Sequence, residues 1–243
     1  MQSALYVSLS AQVALERRLE TIANNMANMK TAAFRADAVK FETAMSRAAA
    51  NPVAFATSGE NYISRKPGAP TPTGNSLDVA VVGNSWLAFT GPSGPVYTRD
   101  GRMKINANGE LQNINGFPVL DAGGAPIIVD PDAGQLTISR DGAITQRGNQ
   151  VGVLGLFDIP ADAKLQRFGN SGVIPNRPAT AVLDFVNTGV QQGYVEGSNV
   201  DALTELTQMI TVSRAFQGVS SLIESSEGSM QNAIRSLGEP TKV

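Results

Sequence analysis

Two apolar stripes of the same helical period stand at opposite ends of this chain, and a long stretch of different texture separates them. Near the N-terminus, Leu15, Leu19, Ile22, Met26 and Met29 follow at spacings of 4, 3, 4 and 3. Backward extension of that track meets Gln12, Ser8 and Leu5, so the seam is weaker at its start. Residues 4–34 contain neither Gly nor Pro. Near the C-terminus, Met209, Val212, Phe216, Val219, Ile223, Ser226, Met230, Ala233 and Leu237 alternate between steps of 3 and 4. Leu203, Leu206 and Ile210 add a neighbouring track at its beginning. Such spacing places apolar side chains along one side of a helix, as the a and d positions of a heptad do. Each such side chain, once fully buried, contributes roughly 1.5–3 kcal/mol. The stripes therefore need cover, from each other or from other copies. Periodicity alone favours ordinary core, because most apolar helix faces are core.

The middle reads as strands. Asp100-Gly101, Asn108-Gly109, Asn115-Gly116 and Asp141-Gly142 are turn dipeptides that tolerate positive φ. Short apolar runs at 77–82, 86–89, 126–129 and 151–157 lie between or beside them. Residues 103–105 and 136–138 alternate as half-buried strands do. Trp86, the one tryptophan, is expected in this core. Residues 38–50 can continue a helix, and the Pro-rich piece 67–72 reads as an extended connector. Ser198-Asn199-Val200-Asp201 resembles a helix start, and Gly238 with Pro240 closes that helix. The expected fold class is α+β: N- and C-terminal helices pairing as a coiled coil, with a central all-β domain. The expected divisions are residues 1–35 (N-terminal helix), 36–75 (connector), 76–190 (β-rich) and 191–243 (C-terminal helix).

Composition removes several classes of function. The chain of 243 residues has no Cys and no His, which excludes disulfides, thiolate nucleophiles and most familiar catalytic triads. A net charge of −2, from 19 basic and 21 acidic residues, offers no basic excess for nucleic acid. No apolar stretch of about 18 residues is present, so no membrane insertion is expected. The first residues lack a basic region and an unbroken apolar core, so they do not read as a cleaved secretory signal. Taken alone, that suggests a cytoplasmic protein.

Carboxylates remain possible catalysts. Asp100, Glu110, Asp121, Asp130, Asp132 and Asp141 lie in the β-rich part, and two held about 5–10 Å apart could hydrolyse a glycoside, peptidoglycan included. Adjacent glycines, however, explain Asp100, Glu110 and Asp141 as turn residues. Residues 121–132 lack the ligand alternation of a calcium loop, and Gly91-Pro92-Ser93-Gly94 is a turn without the Lys-Ser/Thr of a phosphate cradle. No cofactor or metal is called for.

The N-terminal stripe runs into Asn24-Asn25-Met26-Ala27-Asn28, then Thr31 and Phe34-Arg35. The C-terminal stripe is preceded by Gly193-Tyr194-Val195-Glu196-Gly197-Ser198-Asn199-Val200-Asp201. Both motifs, in this order, resemble those of the flagellar rod, hook and hook-associated proteins. Between them, Leu77-Asp78-Val79-Ala80-Val81, Tyr97-Thr98-Arg99-Asp100-Gly101 and Gly116-Phe117-Pro118-Val119-Leu120 are similar to that family's β domain. The resemblance thus spans nearly the whole chain. Trp86-Leu87-Ala88 and Glu196-Gly197-Ser198-Asn199 favour the proximal rod branch over the distal one, while Gly83-Asn84-Ser85 departs from the usual Gly-Asp-Gly.

The resemblance implies a non-enzymatic subunit of the periplasmic basal-body rod. It implies export through the flagellar export apparatus without signal cleavage, which overrules the cytoplasmic expectation. The implied partners are proximal and distal rod proteins and copies of the chain itself. The residues expected to form the assembly interface are Leu15, Leu19, Ile22, Asn25, Met26 and Met29, with Met209, Val212, Phe216, Val219, Ile223, Met230 and Leu237. Asn25, flanking the first stripe, is expected either to fix helix register or to help end the helix.

Overall fold

A computed structural model describes residues 2–40, 43–46, 53–57 and 59–238. Two helices bracket a β-rich centre: α1 spans Gln2–Ala27 and α2 spans Ala202–Gly238. The chain divides into two compact units. One draws on Met1–Met26, Asp37–Tyr62 and Asp201–Val243, the other on Ala27–Ala36 and Ile63–Val200.

The helical unit holds both helices and two small two-stranded ribbons, of which Thr43–Ser46 with Val53–Ala56 is antiparallel. Asp37–Lys40 pairs with Glu60–Ile63, and Thr43–Ser46 pairs with Val53–Ala56. The helical continuation expected over residues 38–50 is therefore incorrect where the structure describes them. Alanine favours helix only weakly, and here ladder bonding to a returning strand outweighs that preference. At the other end, α2 starts one step later than the expected polar cluster. Its N-cap is Asp201, whose side chain accepts the N–H of Thr204 at 2.8 Å.

The β unit contains a six-stranded antiparallel sheet. Its order is Leu165–Phe168, Gly172–Pro175, Gly94–Thr98, Trp86–Gly91, Leu156–Asp158 and Thr180–Ala181. A four-stranded sheet runs Leu111–Asn113, Gly101–Ile105, Asp78–Val82, Gly189–Gln192. A three-stranded sheet covers Thr137–Ile138, Ala143–Gln146 and Asn149–Val153. Two apolar clusters fill the unit, and the strand Trp86–Gly91 serves both. Leu87 enters the cluster of Val79, Leu111, Ile144 and Leu156, while Trp86 and Ala88 enter that of Tyr97, Phe157 and Val173. Alternating side chains point to opposite faces. A strand buried on both faces must therefore be apolar at every position, which explains the unbroken run Trp-Leu-Ala-Phe.

Gly109, Gly116 and Gly142 have φ of +80°, +88° and +84°, as their turns require. Gly101 does not follow that expectation. It opens a strand, and a Cβ there would lie 2.0 Å from the Val79 carbonyl oxygen, so glycine is needed for close approach. The run 126–129 forms isolated bridges instead of a strand, and the run 151–157 breaks at Leu154-Gly155. The Pro-rich connector is extended as expected, and its Pro70–Pro72 pairs with Tyr194–Glu196.

Candidate assembly interface

On α2, the heptad track from Met209 to Met230 is half-buried or buried at each position. Met209, Phe216, Val219, Ile223 and Met230 are half-buried, and Val212 is 3% exposed. Glu205 extends the track by one step of four. The side chain of Leu237 lies outside the described residues. The neighbouring track stands open: Leu203 is 74% exposed, and Leu206 and Ile210 are also exposed. Farther along, Leu222 and Ile234 are exposed, and so is every residue from 231 to 236.

The covered face of α1 is broader than one seam. Leu15, Leu19 and Met26 are half-buried and Ile22 is buried, but Ala14 and Asn25 are buried as well. Glu16, Arg17, Arg18 and Glu20 face outward, as their spacing requires. Met29 lies past the end of the helix and is 40% exposed. Tyr6, Leu9 and Val13 form a further exposed apolar track.

Asn25 joins three elements of the helical unit. Its amide donates to the Asp37 carbonyl and accepts the Asp37 N–H, both at 2.9 Å. The same NH2 donates to Glu205 Oε1 on α2 at 3.2 Å. One buried amide thus pins the end of α1 to a strand and to the other helix. Burial raises the Glu205 pKa above the usual carboxylate value, and the hydrogen bond from Asn25 opposes that rise.

In the β unit, the two terminal motifs close on each other. After α1, the chain turns through Ala33, which holds φ at +54° while its N–H donates to the Glu196 carbonyl at 2.8 Å. Glu196 is 2% exposed and meets two guanidinium groups. Its Oε1 accepts from Arg35 Nη2 at 2.7 Å, and its Oε2 accepts from Arg99 Nε at 2.8 Å. Arg99 spends its other donors on the Val81, Gly83 and Ser85 carbonyls. Arg35 also lies 5.6 Å from the Trp86 ring centre. Burial pulls the Arg35 pKa down to about 10, against the pull of Glu196, so the group stays charged at neutral pH.

Asn199 completes this clasp. It accepts the Ala36 N–H at 2.7 Å and donates to the Lys66 carbonyl at 2.8 Å. Gly68 presses so closely that a Cβ there would sit 2.1 Å from the Gly197 oxygen. Sequence periodicity missed the clasp, because its charges are scattered over residues 35, 99 and 196. The signal available was three ionic residues embedded in otherwise apolar or turn-rich motifs.

The carboxylates weighed as catalysts are occupied locally. Asp121 caps the N–H groups of Gly123 and Ala125, Asp130 that of Asp132, and Asp141 that of Ala143. Glu110 bonds Asn106 and Gln112, and Asp100 holds Arg102 through two bonds. These are the tasks of turn and pairing residues. No described helix is long and apolar enough to cross a membrane.

Three family models match in chain order. Residues 5–35 match the flagella basal body rod protein, 80–146 the D1 domain of flagellar hook protein FlgE/F/G, and 191–236 the C-terminal part of flagellar basal body rod FlgEFG protein. The chain is 47% identical to the flagellar basal-body rod protein FlgF of Mesorhizobium japonicum over 98% of its own length and 99% of the relative. It is 44% identical to FlgF of Rhizobium meliloti over the same shares. The flagellar basal-body rod protein FlgG of Agrobacterium fabrum is 30% identical, over 92% of this chain and 95% of the relative. The chain belongs to the flagellar basal-body rod protein family, within which it groups with FlgF.

Proposed function

We propose that this chain is a structural subunit of the proximal rod of the bacterial flagellum, built into a torque-transmitting axial stack through its two terminal helices. The observation that supports this reading is the apolar surface left on α2. A heptad track half-covered along its length, beside an exposed row of Leu203, Leu206 and Ile210, is more sticky surface than a free monomer normally shows. At 1.5 Å per residue, α2 is about 55 Å long and α1 about 39 Å, so α1 cannot cover all of it. The remaining cover comes from neighbouring subunits in a coiled-coil layer, whose contacts repeat head to tail and so build a helical stack. Residues 1–35 and 191–243 supply that assembly function, and the β-rich part between them distinguishes this subunit from its relatives. The partners are other rod proteins and further copies of the chain, reached after export into the periplasm without signal cleavage.

A distal position is the second reading, favoured by the FlgG relatives. The Glu196–Asn199 run, whose resemblance favours the proximal branch, speaks for the proximal one; within it a Cβ on Gly197 would come within 3.2 Å of the Ala69 oxygen. The test is complementation of a strain lacking this gene with the Ile223→Asp variant. Assembly through α2 predicts lost motility and rods arrested early, with the β unit still folded. Normal swimming with Ile223→Asp would refute it.

A further inference from the structure

The loop 182–188 of the β unit holds two aliphatic side chains out in the open. Leu183 is 89% exposed, the most exposed large apolar side chain among the described residues, and Val186 is 71% exposed. The loop is nevertheless tied down. Val182 N–H donates to the Leu156 carbonyl at 2.8 Å, and Phe185 packs against the cluster of Val79, Leu111 and Leu156. Asp184 accepts the Val186 N–H at 3.0 Å, and Arg140 Nη2 donates to the Val186 carbonyl at 3.0 Å. A loop ordered in advance loses little entropy when something covers it, so burial of Leu183 counts nearly in full.

The same unit carries a recess of about 390 Å³, walled chiefly by Pro92, Pro95, Tyr97, Phe168, Ile174 and Pro178. Leu183 does not fill the recess of its own copy, since it stands exposed. Asn176, one of the few polar residues of the wall, already accepts the Lys164 N–H at 2.8 Å. The recess therefore lacks the converging polar groups that orient a small polar ligand, and it suits an aliphatic side chain. Charge agrees with that pairing. Around the recess, Arg177 and the exposed Lys164 outnumber Asp162. Around the loop, Asp184 and Asp158 outnumber Arg140. The Arg177–Asp162 pair is exposed at both ends, hence weak and open to exchange.

We propose that Leu183 of one copy enters the proline-walled recess of the next copy, with Asp184 beside Arg177 there. Two different surfaces meet, so the contact runs head to tail and repeats along a stack. It rests on the rod reading, which sets copies side by side, and it adds a contact between β units to the helical seams. One loop in one recess is too small to hold two free chains together. Inside the rod, the helices keep the copies close enough for it to form.

Cross-linking in isolated basal bodies tests it, because the chain has no Cys of its own. Ser93→Cys lies on the rim of the recess and Asn187→Cys beside the loop, both at exposed positions. With a short bismaleimide, the chain carrying both substitutions should give a ladder of dimers and longer products. Coexpressed single variants should give dimers only, and either single variant alone should give none. Adding Asp184→Arg should lower the yield about fivefold, the scale of one exposed charge pair, and adding Arg177→Asp as well should restore it. Basal bodies that contain the chain but yield no ladder would overturn this contact and leave the rod reading standing. Dimers from Asn187→Cys alone would overturn it too, because like surfaces would then meet. So would a yield indifferent to Asp184→Arg, or one that Arg177→Asp does not restore. Basal bodies lacking even the unsubstituted chain would overturn both readings.

Discussion

Glu196 neutralises Arg35 while its other oxygen binds Arg99, and all three are about 2% exposed. Removing one member of such a set strands buried charge, whereas the intact set contributes modestly. Glu196→Ala should therefore lower the unfolding free energy by about 3–5 kcal/mol, read by urea denaturation. Glu205 gives a pH test. Its pKa is raised, chiefly by burial, so its folded carboxyl prefers to be protonated. The associated stability is fully present below the ordinary value of 4.5 and fades as pH rises through the raised one. Glu205→Gln keeps an acceptor for Asn25 and should flatten thermal stability over that window. None of these roles was legible from residue spacing. Ionic partners separated by 161 and 97 residues leave no periodic trace, and only the fold brings them together.

At the scale of elements, what repeats was legible and what pairs across distance was not. The spacing traces the heptad track on α2 from Met209 to Leu237; its members up to Met230 are half-buried or buried, whereas Ala233 is exposed. Residues 38–40 and 43–46 contain no Gly or Pro to bar a helix, yet their backbone is claimed by returning strands. Asn25 shows the same divide. Its place at the end of the stripe suggests either register or termination, and its two hydrogen bonds with the Asp37 backbone tie the helix to the strand that follows. Asn25→Ala removes three hydrogen bonds that tie α1 to Asp37 and to Glu205. It should destabilise the helical unit by about 1–3 kcal/mol, measured as faster amide hydrogen exchange in α1 and residues 37–40. On α2, Gly218 has open space around a would-be Cβ and no positive φ. Gly218→Ala should stabilise that helix by about 0.5–1 kcal/mol in the isolated chain, seen as a higher melting temperature.

For the whole molecule, the family was legible because two motifs bracket the chain in a fixed order, and relatives matching over 98% of its length bear that out. The β unit places those motifs against each other through Arg35, Glu196 and Asn199, so the residues that identify the family also close the fold. The central claim concerns α2: that its open apolar face is covered by neighbouring subunits. The chain has no Cys, so a single engineered one reports without background. Leu222 is 64% exposed in the isolated chain. Leu222→Cys should react quickly with a maleimide in the purified monomer and be protected in isolated basal bodies. Equal labelling in both states would contradict the account.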